Sequence, residues 1–324
     1  NVIYNINIGY IGLVGIFFCI LYSYFTSYFF PHSQIHNSIF FFIGLIFFFN
    51  NLKLLKKEEI NFLIFFFLIF FIGILNIKNH DDFSYYHFPY TYYLTQNSSY
   101  LGVGQFNHGF RTPSSIFYLN SLFFLPSAKY YLFNFSQIYI MGFVNIILLQ
   151  KIYESFKNYK KSTNYLNYLS LLSFIFINIF FYRISEHGTD RSAQILIFIF
   201  IILILEFTFL EKNYQSNLNY VYICLGLIVS LKAFYILYFI LLTPVIYKIF
   251  KKTRKFFLTL KYFFNKFSIF FSLLIILVIT SYFFNTGCIL YPLSFTCFEN
   301  LGWALPVSEV NRMNDWYELW SKAG

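Results

Sequence analysis

An all-α, polytopic membrane bundle is the architecture implied by three features of the sequence. Of its 324 residues, 58% are hydrophobic and only 11% charged, and the mean hydropathy is +0.61, so most of the chain is unsuited to a water-facing surface. The apolar residues fall in runs near bilayer length, where only a helix satisfies its own backbone. Lys and Arg collect between alternate runs, as the positive-inside rule requires of cytoplasmic loops.

In chain order, the spans predicted are Gly9 to Phe30, Ser38 to Asn50, Asn61 to Ile77, Tyr131 to Gln150, Tyr165 to Tyr182, Ala193 to Leu210, Asn219 to Leu231, Ala233 to Tyr247 and Ser268 to Phe284, about nine crossings by length and apolarity. The first run is too long for a signal-peptide core and has no basic leader or small-residue cleavage site, so it is expected to be a retained span. There is no initiator Met and no closing element after Ser321, so the chain is expected to be a fragment of a longer one.

Lys53, Lys56 and Lys57 mark one cytoplasmic loop, Lys151, Lys157, Lys160 and Lys161 a second, and Lys248 to Lys266 a third. The last is also suited to a basic amphipathic segment on the inner surface. His80 to Lys129, Arg183 to Ser192 and Asn285 to Gly324 then face outward. Because the Glu211-Lys212 loop and the Lys248 loop both come out cytoplasmic, an even number of crossings separates them, and the chain is expected to turn back at Lys232. The His80–Lys129 loop is too long for a connector. Within it, Pro113-Ser114-Ser115 opens an apolar stretch from Ile116 to Leu125 closed by Pro126, a helix too short to span that is expected at the interface or dipping into it.

A formal net charge of +10 would suggest nucleic acid in a soluble protein, but the placement of the basic residues is accounted for by topology, so no nucleic-acid partner is expected and the lipid bilayer is. The 50 Phe and 30 Tyr reflect composition bias rather than a cofactor site. Cys19 and Cys224 lie in apolar runs and are expected to pack. Cys288 and Cys297, close together in an outer loop, suit a disulfide better than zinc, since no further ligand stands at zinc spacing. Asn97-Ser98-Ser99 matches the glycosylation sequon, which in a bacterial protein is a chance occurrence.

Ionisable groups beside apolar spans are costly unless solvated, paired or used, and on the outer side they form three clusters. The first is His80-Asp81-Asp82 with Tyr85-Tyr86-His87, the second Asn107-His108-Gly109-Phe110-Arg111, the third Glu186-His187-Gly188-Thr189-Asp190-Arg191. Asp81 and Asp82 fit a general base for an acceptor hydroxyl, a pair of oxygen ligands for a divalent cation, or a plain membrane-boundary marker. Arg111, Arg191 and Lys232 match a phosphate, bidentately or as a point charge. Against that, Arg191 has Asp190 and Glu186 as ion-pair partners in the same loop, and Lys232 can snorkel to the interface. His87 and His108 fit acid, base or ligand roles, or hydrogen-bonded structural ones; they have no metal-binding spacing with each other.

The layout resembles the GT-C class of integral membrane glycosyltransferases, which use polyprenyl-phosphate-linked sugars and keep an essential acidic residue in the first large outer loop. Asp82 with Tyr86, His87 and Pro89, then Leu101-Gly102-Val103-Gly104 and Asn107-His108-Gly109-Phe110-Arg111, are similar to a group of bacterial membrane proteins that carry an aspartate, a Tyr-His pair and an Asn-x-His-Gly-Arg-like signature. This chain departs by placing Phe110 before Arg111 and Thr112-Pro113-Ser114-Ser115 where an Asn-Ser-Ser-like run falls. The likeness covers roughly two thirds of the chain and extends to Ile184 to Arg191, Lys232 and Gly287-Cys288 to Trp303.

The resemblance implies a GT-C-like fold in the bacterial inner membrane. It also implies transfer of a sugar from a polyprenyl phosphate to a glycan, lipid or protein acceptor at an outward-facing site. Asp82, with Asp81, would activate the acceptor, and Arg111, Arg191 and Lys232 would meet the leaving phosphate, with Tyr86, His87, His108, Glu186 and Asp190 around them. The alternative is a transporter or flippase of lipid-linked glycans. Transporters place ionisable groups near the midplane on broken helices in repeated halves, whereas here the charges lie in loops or at helix ends and no repeat is visible.

Overall fold

Asn7 begins the first helix, α1 (Ile8–Ser27), its side chain accepting a hydrogen bond from the Gly9 amide. The computed structural model describes residues 7–52, 56–75, 81–157, 164–181, 189–209 and 214–322. Among these the chain is helical without strands, and five helical stretches are long and apolar enough to cross a membrane: Ile8–Ser27, Tyr130–Phe156, Thr189–Phe209, Ala233–Thr253 and Lys266–Thr286. Glu59–Leu75, Tyr165–Phe180 and Asn217–Leu231 are shorter apolar helices.

The core is formed by α1, α6 (Phe135–Lys157), α8 (Thr189–Phe209), α9 (Tyr214–Leu231) and α12 (Lys266–Thr286). Phe17 and Ile20 of α1, Ile147 of α6, Phe200 of α8 and Leu274 of α12 are fully buried together. α3 (Lys57–Leu75) and α7 (Asn164–Phe180) pack on α6, whereas α2 (Gln34–Asn51) meets the bundle only near its start, through His36, Asn37 and Phe40, and is exposed beyond. Asn145 of α6 and Asn178 of α7 exchange amide hydrogen bonds at 2.9 and 3.1 Å, a polar tie of the kind that joins helices where no water competes.

Contacts at opposite ends of the same helices fix their directions. At one end Lys151 meets Glu206 at 2.5 Å, and Lys248 donates to the Phe207 and Thr208 carbonyls at the close of α8. At the other, Lys232 meets Asp190 in the first turn of α8. The chain therefore does turn back at Lys232, whose backbone is extended, and the next segment runs antiparallel to α9. That segment starts as a 3₁₀ helix over Ala233–Leu242, packed against α9 and α8, and continues as α10 (Thr243–Thr253).

Several boundaries differ from the sequence expectation. The expected Ser38 to Asn50 span lengthens because Ser33 caps α2 three residues ahead of His36. Lys151 and Lys157 belong to α6 rather than to a loop; Glu206 neutralises Lys151, so the charge does not end the helix. The basic stretch after Lys248 divides at Arg254, which has a positive φ, into the end of α10 and the short α11 (Phe256–Phe263), with Lys266 already in α12. The helix expected over Ile116 to Leu125 at the interface is α5 (Ser115–Ser121), wholly buried among α1, α6, α9 and α4 (Phe88–Gln96). Its polar groups allow this because they find partners: Ser114 caps it and also donates to the Leu231 carbonyl, Ser115 bonds Ser230, and Ser121 bonds His32.

The outer segment expected from Asn285 onward begins as the last turn of α12 and ends in a helix absent from the sequence reading, α13 (Val307–Ser321). Between them Cys288 and Cys297 are joined by a disulfide, as their spacing predicts.

Candidate functional site

Pro89 shapes the first cluster. Lacking an amide hydrogen, it cannot donate to the Tyr85 carbonyl four residues back, and that carbonyl instead accepts from Asn107 Nδ2 at 3.0 Å. The chain from Phe83 to His87 winds as a π-helical turn, closed by the Phe88 amide on the Phe83 carbonyl; such turns are rare and favour functional sites. Asp82 sits at its start, and the Tyr86 hydroxyl returns to donate to Asp82 Oδ2 at 3.3 Å. Asp81 points to solvent.

Asn107 also holds the second cluster. Its Oδ1 accepts the Gly109 amide at 2.8 Å, and Gly109 lies against the root of the Tyr86 side chain, where a Cβ would fall 2.2 Å from Tyr86 Cγ. His87 packs edge-on to the same ring at 4.4 Å. Phe110, the residue that departs from the family-like signature, is buried against Tyr90, and its carbonyl accepts from Asn285 of α12 at 2.8 Å. Arg111, next in the chain, is buried as well. Arg111 Nε donates to the Gly104 carbonyl at 3.0 Å, and its Nη2 meets Glu309 Oε1 at 2.5 Å.

Of the third cluster, Thr189, Asp190 and Arg191 open α8, and Glu186 to Gly188 lie outside the described residues. Asp190, in the first turn, suits the positive end of the helix and accepts Lys232 Nζ at 2.6 Å on one oxygen and 2.8 Å on the other. The Arg191–Asp190 pairing weighed from sequence is not the one formed. Consecutive residues project about 100° apart around a helix, whereas the break after Leu231 delivers Lys232 directly onto the carboxylate.

The first two clusters are in contact, and the third lies within electrostatic reach of Tyr86. Burial raises the Tyr86 phenol pKa above its ordinary value, and the neighbouring carboxylates of Asp82 and Asp190 and the Tyr317 hydroxyl push it further up, so a single phenol feels the π turn, α8 and α13 together. Burial and then Tyr291 carry Tyr317 up to about 12, with Arg111 acting the other way. The Tyr291 hydroxyl is buried with no hydrogen bond of ordinary geometry; burial raises its pKa, and the nearby Arg111 opposes that rise. His108 is lowered by burial and by Arg111, with Glu309 opposing, which favours the neutral ring. Asp82, Tyr86, His108, Arg111, Asp190 and Lys232 thus share one end of the bundle.

Exposure separates the basic residues of the site. Arg111 is committed to Glu309 and Gly104 with its side chain 8% exposed, so its fork is not open to an incoming phosphate, while Lys232 is 47% exposed and reachable. Among the described residues no three His, Cys, Asp or Glu side chains converge on a metal position; a divalent cation would draw on Asp81 and Asp82 together with substrate oxygens. Glu309, Tyr291 and Tyr317 were missed from sequence. For Glu309 and Tyr317 the signal is the i, i+4, i+8 spacing of Glu309, Met313 and Tyr317 after Pro306, one face of a helix; Tyr291, in the loop before it, carries none.

A family model described as a domain of unknown function, DUF8201, matches residues 3–323. No curated protein and no solved structure matches the chain. The chain belongs to the DUF8201 family.

Proposed function

We propose that this member of the family is a GT-C-like glycosyltransferase of the bacterial inner membrane, crossing it about nine times. It moves a sugar from a polyprenyl-phosphate-linked donor to a glycan, lipid or protein acceptor on the non-cytoplasmic side. The observation that carries the reading is the gathering of Asp82, Tyr86, Asp190 and Lys232 at one end of an apolar helical bundle. The basic residues of α10 and α11 gather at the opposite end. That polarity is what the positive-inside rule gives an outward-facing site.

In this mechanism Asp82 takes the proton of the acceptor hydroxyl as its oxygen attacks the anomeric carbon. The bond from that carbon to the phosphate oxygen breaks, and the lipid phosphate leaves with the electron pair. Tyr86, held protonated, orients the Asp82 carboxylate through its hydrogen bond. Lys232 exchanges part of its contact with Asp190 for the leaving phosphate, with Arg191 beside it. Arg111 acts by position, holding α13 against the site.

The test is transfer of label from a radiolabelled polyprenyl-phosphate hexose in membranes containing the protein, with and without EDTA. Wild type transfers label and Asp82→Asn, folded by size-exclusion profile, does not. Full transfer by Asp82→Asn removes that residue from the mechanism. Movement of the labelled lipid between leaflets without transfer replaces the enzyme by a flippase. Loss of transfer in EDTA adds a divalent cation to the site.

A further inference from the structure

The face of α13 turned toward the site carries Glu309, Val310, Met313 and Tyr317, and the same stripe continues to Trp316 and Trp320. Its first half is packed: Val310 is buried, and Glu309 is tied to Arg111. The second half overhangs. Trp316 and Trp320 are 50% and 71% exposed, and their rings lie nearly parallel, 12° apart in plane with centroids at 6.3 Å. Trp316 stands edge-on to the His108 ring at 6.2 Å, and Tyr317 flanks the same ring at 6.2 Å. His108 Nε2 is buried with no hydrogen-bond partner.

An exposed, near-parallel aromatic pair offers what the face of a pyranose requires. The axial C–H groups of the sugar carry slight positive charge and settle on the negative π face, while its hydroxyl rim needs donors and acceptors to replace water. A bilayer surface fits the stripe less well. Interfacial helices carry Lys and Arg on the polar face, whereas four of the fifteen residues of α13 are charged and three of those are acidic.

We propose that Trp316 and Trp320, with the His108 ring packed behind Trp316, form a saccharide subsite at the edge of the Asp82 site. This rests on the transferase reading and deepens it, since it makes a carbohydrate the group held beside Asp82 and assigns α13 as the element that holds it.

The chain has three Trp residues, so in a Trp303→Phe background the indole emission comes from this pair alone. The protein is placed in lipid nanodiscs and titrated with the methyl glycosides of glucose, galactose, mannose and N-acetylglucosamine, in parallel with nanodiscs containing doxyl-labelled lipid. The expected result is a saturable emission change with at least one glycoside and little quenching by the doxyl lipid. Trp320→Leu, which keeps the apolar bulk but removes the π face, weakens that binding about tenfold or more. Strong doxyl quenching with no glycoside response, or glycoside binding unaltered in Trp320→Leu, overturns the subsite. Asp82-dependent transfer without glycoside binding leaves the enzyme and removes the subsite; glycoside binding without transfer does the reverse.

Discussion

Arg111 and Glu309, 198 residues apart, meet at 2.5 Å and tie α13 to the turn that carries His108. Stranding one partner of a buried pair costs about 3–5 kcal/mol. Glu309 is 29% exposed, and water relieves part of that, so about 2 kcal/mol is expected for Glu309→Gln. Because this pair and the buried Val310 hold the front of α13, the loss falls on that helix before it reaches the bundle. Tryptic cleavage after Arg312 and Lys322 in detergent should then accelerate more than tenfold, with the bundle intact. An unchanged cleavage rate would show that other contacts hold α13.

That pair also marks where sequence reasoning stops. The hydrophobic runs, the reversal at Lys232 and the Cys288–Cys297 bond were legible because apolar length, charge placement and loop proximity are local properties of the chain. Asp82, Tyr86, Asp190 and Lys232 were legible as polar residues of loops and helix ends on one side of the helices, and each lies at the shared end. The commitment of Arg111 to Glu309 was not, because ion-pair choice depends on how α13 crosses the site and nothing near Arg111 encodes that. The burial of α5 was hidden for a related reason. Its Ser and Tyr residues look interfacial until Ser230, His32 and the Leu231 carbonyl arrive from other helices to satisfy them.

Gly109→Ala should disable the site through Tyr86. The new Cβ would stand 2.2 Å from Tyr86 Cγ, so the ring must leave, and overpacking of this kind costs about 1–3 kcal/mol. With the ring displaced, the hydroxyl no longer reaches Asp82. The expectation is a drop in transfer rate at least as large as in Tyr86→Phe, which loses the hydroxyl alone. Gly109→Ala activity equal to wild type would show that the Tyr86–Asp82 contact is dispensable.

His32 should make the fold acid-sensitive. It sits fully buried in the turn between α1 and α2, its Nδ1 2.6 Å from Ser121 Oγ and its Nε2 3.0 Å from Thr26 Oγ1. The titratable group facing it is His36, stacked at 5.1 Å. Burial and then His36 lower its pKa to about 3 from an ordinary 6.5, a Ser23 contact acting weakly the other way. The unfolded chain binds this proton below about 6.5 and the folded chain only near 3. The stabilisation is therefore whole above the first value and is lost as pH falls toward the second. The thermal midpoint in detergent should fall across that window, and His32→Gln should flatten the decline. Equal slopes in both proteins would place the acid sensitivity elsewhere.

The Lys232–Asp190 contact separates a structural clip from a phosphate site. Both side chains are 47% exposed, and an ion pair this open contributes about 0–1 kcal/mol to stability. Lys232→Met should therefore leave the melting temperature nearly unchanged. If Lys232 meets the departing phosphate, removing it takes away charge stabilisation that develops in the transition state, and transfer should fall about a hundredfold or more. The reversed pair, Asp190→Lys with Lys232→Asp, restores the ion pair but moves the cation to the α8 turn, so the phosphate loses its partner and transfer stays low. Recovery of transfer in the reversed pair would mean that the contact only fastens α8 to α9, and the phosphate role would pass to Arg191.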